Sequence, residues 1–357
     1  MKILFPKKSR ESILKKIKNF EAPKDFFYGS ISMNNFNIDE HVIDTRLNDK
    51  IFSISFTKKI FNRIFYSSFS AQKAKYIFNL APLESKLICF TDWDSMNIAI
   101  HHDFRKDLKL ICGFHGLYNF FQRIPENIFF NKKKFFTKGL SNLRHIFFFG
   151  PEDRKKCIEF FRIPENKTSI YRFGIDIDFW NIIPFDQSID VLSIGSDLNR
   201  NYNIFEKIPI NFKLSIITKL NVKKLQGKAD IISGSKNNPH LTDSEIKEYY
   251  NKSKIIVIPI KETLQPSGYS VALQAMACGK PVIMTKIKGL WDQDLFQNMK
   301  NIIFIPPNNS IELKKNINLL LQSPELRNQI GQEARKTAEN FFSLKRMNED
   351  FNKLTII

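Results

Sequence analysis

Cysteine is scarce in this chain, with four in 357 residues. Cys89, Cys112, Cys157 and Cys278 stand far apart, and three of them lie inside apolar runs. That spacing makes neither a zinc-ligand cluster nor a disulfide framework, and it fits a reducing, cytoplasmic compartment. Long hydrophobic runs are missing too: none reaches the roughly 18 residues that a spanning helix needs. The N-terminal "MKILFPKKSRESILKKIKNF" has a short apolar patch broken by Pro6, so no signal peptide is expected. Acids are in deficit, with 36 Asp and Glu against 55 Lys and Arg, a net charge of +19. A field of that sign favours nucleic acid, an anionic membrane surface or phosphate-bearing substrates, and charge alone does not choose among them.

What is present reads as globular: 43% hydrophobic and 25% charged residues, in a chain long enough for two domains. Short apolar runs alternate with helix-like patterning, which predicts α/β architecture with parallel sheets. In the first half these runs are "KLICFTD" (86–92), "LKLICGFHG" (108–116) and "LRHIFFFG" (143–150). Between and after them, "SMNIAIHHDFRKD" and "PEDRKKCIEFFRI" pattern as helices, the latter with Pro151 in its first turn. A Pro-, Gly- and Asn-rich stretch at 162–188 predicts the domain boundary. A second series follows at 189–197, 212–218, 229–234, 253–260, 280–285 and 301–307, before a helical tail with Ser310 and Ser323 as N-caps. Two such domains in tandem are expected to bind ligands at the carboxyl ends of their strands. No repeat is visible beyond this repeated architecture.

The stretch "KETLQPSGYSVALQAMACGKPVIMT" (261–285) carries the densest chemical signal. The strand "IIVIPI" leads through a loop into a helix expected to begin near Ser267 to Ser270. A helix start leaves backbone N–H groups without intrahelical partners, and Gly268 permits close approach by a bulky anion. The hydroxyls of Ser267 and Ser270 add donors, and the set suits a diphosphate. Gln274, one turn in, is within reach of a ribose hydroxyl. Gly279 closes the helix and Pro281 opens the next strand. An ordinary βαβ crossover would need no ligand here, so the surrounding motifs decide.

Those motifs are "YRFGIDIDFW" at the domain junction, "VLSIGSDLNRNY" on the second domain's first strand, "LTDSEIKEYYNKSKIIVIP" before the signature, and "NIIFIPPNNSIELKKNINLLLQSPELRNQIGQEAR" after it. Together with "PSGYSVALQAMACGKPVIMT" they resemble the GT-B glycosyltransferases of glycosyltransferase family 4 (group 1), over roughly residues 145–345 and weakly in the N-terminal domain. The resemblance implies two Rossmann-like parallel-sheet domains facing a central cleft. The expected division is 1–180 on the acceptor side, 181–340 for the nucleotide sugar, and 341–357 as a helix crossing back toward the first domain.

The family usually carries a spaced pair of Glu residues around this loop, the first meeting the donor sugar and the second the ribose. Here Gln274 stands in the second place, and either Glu262 or Gln265 in the first. An amide keeps the hydrogen-bond acceptor without the charge, compatible with ribose binding but not with acid–base chemistry. Arg200, in the loop that ends the second domain's first strand, is placed to meet a diphosphate bidentately and neutralise the departing nucleotide. Lys219, just past "LSIIT", is a second candidate cation. The resemblance gives His115, after "LKLICGF", a role near the sugar's reacting end; the alternative is a loop histidine bonded to backbone. Gly29 in "DFFYGSIS" marks a turn that admits acceptor or phosphate.

Three Asp-x-Asp strings, Asp92/Asp94, Asp176/Asp178 and Asp292/Asp294, do not read as metal sites. Asp94 with Ser95 reads as a helix N-cap and Asp176 as part of the interdomain connection, so neither a metal nor another cofactor is expected. The segment "FFNKKKFFTKGLSNLRHIFFFG" (129–150) alternates Phe pairs with Lys and offers either a solvated basic face or a dock for anionic lipid. No aromatic stacking platform of a nucleic-acid site accompanies it, so no specific nucleic-acid partner is expected.

The expectation is therefore a glycosyltransferase moving sugar from a nucleotide-sugar donor to a glycan or lipid-linked acceptor in envelope polysaccharide or glycoconjugate synthesis. By the resemblance it is retaining and metal-independent, and it works in the cytoplasm or peripherally on the inner membrane face. Catalytic roles fall to His115, Glu262 and Arg200. Donor contacts fall to Arg200, Lys219, Ser267, Gly268, Tyr269, Ser270 and Gln274, and Gly29 to the acceptor side. A nucleotide-sugar epimerase of the same architecture and a non-enzymatic polyanion-binding protein are the alternatives.

Overall fold

Strand–helix alternation resolves into two six-stranded sheets in which every pairing is parallel. The computed structural model describes residues 1–5, 10–32, 36–44, 71–124, 131–232 and 241–357. The first sheet contains β1 (Lys2–Phe5), β2 (Val42–Asp44), β3 (Lys86–Cys89), β4 (Lys109–Phe114), β5 (His145–Phe148) and β6 (Thr168–Ile170), in the order β2-β1-β3-β4-β5-β6. The second contains β7 (Ile189–Ile194), β8 (Leu214–Ile217), β9 (Asp230–Ile232), β10 (Ser253–Ile258), β11 (Val282–Thr285) and β12 (Ile303–Ile305), in the order β12-β11-β10-β7-β8-β9. A parallel neighbour needs a crossover, and helices supply most of them. They are α1 (Arg10–Lys18), α2 (Ile38–His41), α3 (Ala71–Asn79), α4 (Asp92–Ile100), α5 (Leu117–Arg123), α6 (Lys132–Ser141) and α7 (Pro151–Phe161), then α8 (Asp243–Lys252), α9 (Tyr269–Ala277), α10 (Ser310–Gln322), α11 (Pro324–Phe341) and α12 (Leu344–Ile356). This is the α/β, two-sheet architecture expected from the sequence.

The chain divides into two compact units, Met1–Lys15 with Ser30–Tyr171 and Glu349–Ile357, and Lys16–Gly29 with Arg172–Asn348. The division after Tyr171 falls within the expected 162–188 stretch and ahead of residue 180: β6 keeps the chain in the first sheet to Ile170, and from Arg172 it groups with the second unit. Residues 16–29, which sequence order assigns to the first domain, group with the second. Hydrogen bonds give the reason: Asp25 accepts from the backbone N–H of Asp176 at 2.5 Å and from Trp180 Nε1 at 2.7 Å.

In the first unit the abundant Phe forms the core. Phe121 packs edge-on against Phe136 and Phe161, with ring centroids 5.2 and 5.3 Å apart. Burying each such ring contributes roughly 2–3 kcal/mol. The ring of Phe147 lies over Gly113 in the neighbouring strand, where a Cβ would sit 2.1 Å from it. Lys2–Phe5, which reads in the sequence as a broken apolar patch, is an inner strand between β2 and β3. Two helix starts differ from expectation. α4 begins after Thr91, placing Asp94 in its first turn, where it accepts from the Thr91 hydroxyl at 3.0 Å. For α10 the capping side chain is Asn309 rather than Ser310, whereas Ser323 caps α11 as expected. The last residues of the 229–234 run and the first two of the 129–150 segment lie outside the described residues.

In the second unit α11 packs on the C-terminal end of α9. Arg335 Nη1 donates to the Trp180 carbonyl at 2.8 Å and to the Ala277 carbonyl, satisfying an open helix-end acceptor. One turn earlier Gly331 meets Gly279 so closely that a Cβ would lie 2.2 Å from the Gly279 carbonyl oxygen. Helix propensity alone makes Gly331→Ala stabilising by ~1 kcal/mol. The close approach reverses the sign, and the variant is expected to lose roughly 1–3 kcal/mol in urea unfolding.

Candidate functional site

The second sheet changes direction between β7 and β10, and in open α/β sheets ligands bind at the strand ends of such a switch. Two loops leave it there and are stitched together. Asn201 N–H donates to the Pro259 carbonyl at 2.9 Å, and Lys261 N–H to the Asn199 carbonyl at 2.8 Å. Asp197 accepts from Asn199 N–H and from the Ser267 hydroxyl, each at 2.8 Å. Asn199 Nδ2 donates to Ser267 Oγ, also at 2.8 Å. The Ser267 hydroxyl is thus engaged within the protein, a correction to its expected place among the free donors. Ser270 is half-buried in the first turn of α9.

Arg200 sits at this junction with 4% of its surface exposed. Among the described residues its Nε and Nη1 have no hydrogen-bond partner. Burial pulls its pKa below the ordinary arginine value, against the opposing pull of Tyr202 and Asp197. Two glycines make the space. A Cβ on Gly195 would lie 2.2 Å from Arg200 Nε, and one on Gly268 would lie 3.0 Å from Nη1. Gly195 has φ +144° and Gly268 φ +81°, in the region that glycine adopts without penalty. Gly268 is the N-cap of α9, so the first-turn N–H groups, from Tyr269 onward, open beside the guanidinium. The Tyr269 ring is packed away at 3.8 Å from the ring of Trp291, which leaves Tyr269 its backbone as the route to a ligand.

The loop after β11 braces this corner from the other side. Glu262, exposed, accepts from Lys288 N–H at 2.8 Å, and Gly289 N–H donates to the Thr263 carbonyl at 2.8 Å. Gln265 is half-buried, its amide oxygen 3.4 Å from Asn199 Nδ2. Glu262 therefore has a bracing contact, and Gln265 stands closer to the Arg200 loop. The Lys219 side chain is exposed, and its backbone N–H donates to Ser196 Oγ at 2.9 Å. Gln274 is 7% exposed and faces inward, with Nε2 3.4 Å from Asp25 and Oε1 3.3 Å from the Tyr250 hydroxyl. Both ends of its amide are engaged, a correction to the ribose contact expected of it. Gly29 belongs to the second unit, not to an acceptor-side first domain, and has φ +76° after Tyr28 at φ 49°.

His115 belongs to the first unit, in the loop after β4. Its ring stacks on Phe149, with centroids 4.1 Å apart, and Nδ1 lies 3.8 Å from the Asp92 carboxylate. Packing lowers its pKa and Asp92 raises it, with the lowering dominant. Two carboxylates that sequence reasoning missed as loop-formers mould this turn. Asp92 accepts from the N–H groups of His115 and Gly116 at 3.1 and 3.3 Å, and Asp153 from those of Leu117 and Tyr118 at 2.8 and 3.0 Å. Burial pushes the Asp153 carboxyl up to about 7. Asp94 pairs with Lys73 at 2.8 Å, and Asp292 with Arg172 at 3.2 Å. Among the described residues no group of three or more His, Cys, Asp and Glu side chains is arranged to hold a metal ion. Nor is any described helix long and apolar enough to cross a membrane.

Residues 211–337 match the family described as glycosyl transferases group 1. An uncharacterized glycosyltransferase of Methanocaldococcus jannaschii is 30% identical over 98 residues, a match spanning 27% of this chain and only 26% of that relative's length. Among solved structures, Anabaena HepE in complex with UDP and glucose aligns with a TM-score of 0.66 over 99% of each chain at 15% identity. Sucrose-phosphate synthase from Thermosynechococcus elongatus aligns at 0.65 over 88% of this chain and 82% of its own, at 14% identity. A glycosyltransferase from Rickettsia africae aligns at 0.62 over 99% and 96%, at 17% identity. The fold shared with these proteins is GT-B.

An uncompensated buried guanidinium costs several kcal/mol of folding free energy. Arg200→Met is therefore expected to stabilise the ligand-free protein by roughly 1–3 kcal/mol, read as a raised midpoint in denaturant. A lowered midpoint would mean that the guanidinium is compensated in the free protein.

Proposed function

From a GT-B fold whose residues 211–337 match the group 1 glycosyl transferases, we propose that this protein is a glycosyltransferase. It transfers sugar from a nucleotide-sugar donor to a glycan or lipid-linked acceptor, with retention of configuration and without an essential metal. The observation that carries the reading is Arg200, a buried cation whose Nε and Nη1 find no acceptor among the described residues, beside an open helix N-terminus. That pair is complementary to a diphosphate. As the anomeric carbon–oxygen bond breaks, negative charge accumulates on the departing diphosphate. Arg200 and the α9 N–H groups are already oriented toward it, so they stabilise that charge without reorganising. Lys219 adds a third positive element by the same reading. The acceptor oxygen bonds to the anomeric carbon, and its proton passes to the departing diphosphate oxygen. His115, in a loop shaped by Asp92 and Asp153, serves the sugar's reacting end, and Gln265 is favoured over Glu262 as the donor-sugar contact because Glu262 already holds Lys288.

Thermal shift with UDP, GDP and ADP tests this against a short DNA duplex at two salt concentrations. One nucleoside diphosphate is expected to raise Tm; a shift from DNA alone, confined to low salt, would sink the proposal. In wild type against Arg200→Ala, removing one charge-stabilising donor is expected to lower kcat/KM by roughly 100-fold or more while the far-UV circular dichroism stays unchanged.

The first unit also offers a basic groove between α6 and α7, lined by Lys133, Lys134, Lys138 and Arg162 around Phe160. No acidic residue occurs between Asn131 and Gly150. Lys133 covers the Phe160 ring at 4.2 Å, so cations surround an apolar floor. By this reading the groove holds the enzyme on an anionic bilayer, each lysine contributing ~1 kcal/mol at low salt. Co-sedimentation with phosphatidylglycerol vesicles is expected to be lost in the triple variant Lys133→Glu, Lys134→Glu, Lys138→Glu, with nucleotide binding intact.

A further inference from the structure

Residues 16–29 belong to the second unit, and at the centre of their contacts lies the Asp25 carboxyl, with no solvent exposure. Asp25 Oδ1 takes the Asp176 N–H at 2.5 Å, and Oδ2 takes Trp180 Nε1 at 2.7 Å and Gln274 Nε2 at 3.4 Å. The far end of that amide, Oε1, accepts from the Tyr250 hydroxyl at 3.3 Å, and the same hydroxyl stands 3.5 Å from the Val271 carbonyl. The side chain at position 274 must therefore donate toward a carboxyl and accept from a phenol. An amide does both; a carboxylate does only the second. Val271 and Gln274 lie in the first two turns of α9, whose N-terminus opens beside Arg200, and Tyr250 feels the charges of both Arg200 and Asp25.

The geometry points to Asp25, Gln274 and Tyr250 as a latch that positions α9, so that segment 16–29 sets how tightly the α9 N-terminus and Arg200 hold a nucleoside diphosphate. The three are positioning residues, and the inference rests on the donor-site reading above. The groups facing Asp25 are Asp176, whose own carboxylate takes the N–H groups of Lys24 and Phe179, together with Trp180, Gln274 and Tyr250. Burial, against the hydrogen bonds from the Asp176 N–H and Trp180, pushes Asp25 up to about 7. A carboxyl raised in the folded state favours its protonated form there, so the stability it contributes falls as pH climbs from about 4 toward about 7.

Gln274→Glu tests the latch, with whichever of UDP, GDP or ADP stabilises the wild type as the probe, titrated calorimetrically at about pH 5.5 and about pH 8. At the lower pH the introduced carboxyl is protonated and donates as the amide did, and Kd is expected to stay near wild type. At the higher pH two carboxylates meet, and Kd is expected to weaken about tenfold or more relative to wild type. The Tm of the ligand-free variant should fall over the same interval more than that of wild type. Equal pH ratios for variant and wild type, in both Kd and Tm, would overturn the latch. Should Gln274→Glu fail to fold at the higher pH, Tyr250→Phe is expected to weaken binding at both pH values, and an unchanged Kd overturns the proposal. If no nucleoside diphosphate binds wild type, the donor reading fails and the latch stands or falls on the Tm comparison alone.

Discussion

A buried guanidinium with two nitrogens left unpartnered among the described residues is the constraint around which the second unit is arranged. Arg200 is almost closed off from water and meets no acceptor for Nε and Nη1 among the described residues, a state that folding alone disfavours. It persists because the surrounding backbone over-determines it. Gly195 and Gly268 close on it from two strand ends, Asp197 and Asn199 tie those loops through Ser267, and the loop after β11 props the assembly through Glu262 and Thr263. Stability is given up locally around this charge, a pattern common at functional sites.

The first unit, also a parallel sheet with helices but with a different strand order, treats a loop of this kind in the opposite way. The loop after β4 also presents a run of N–H groups, at His115, Gly116, Leu117 and Tyr118, leading into a helix. There the vacancy is filled from within, by Asp92 and Asp153. An N–H cradle already holding two carboxylates has little left for a phosphate, whereas the α9 cradle faces a cation. The first unit thus holds a turn neutralised from within that orients a histidine, and the second a helix start beside a buried cation.

How much of this is legible in the sequence depends on how local the determinant is. The strands β3 to β5, β7, β8 and β10 to β12 announce themselves because largely buried parallel strands read as apolar runs, and the start of α9 because Gly268 is needed at positive φ. Lys2–Phe5 is obscured by its brevity and by Pro6, and β6 by a proline- and asparagine-rich neighbourhood. The cap of α10 is misplaced by one residue, since Asn309 and Ser310 are both good caps and only geometry separates them. Arg200 is visible from its place after a strand. Its missing partner is not, because burial is a tertiary property. Least legible is Asp25: nothing in "APKDFFYG" foretells hydrogen bonds to residues more than 150 positions away.

The scarcity of acids and their placement belong together. Several of the 36 acidic residues face inward or toward backbone rather than serving as solvated charge. Asp25, Asp92, Asp153 and Asp197 each accept at least one backbone N–H, and Glu262 does so from the surface. Lysines instead remain mostly outside, as at Lys133, Lys134, Lys138 and Lys219. Asp25 and Asp153, both pushed up to about 7 by burial, carry only part of their formal charge near neutral pH, so the molecule is somewhat more basic than its formal +19. The same division of labour shapes the loops with acids and leaves lysines at the surface, which links the architecture of the turns to the long-range electrostatics of the molecule.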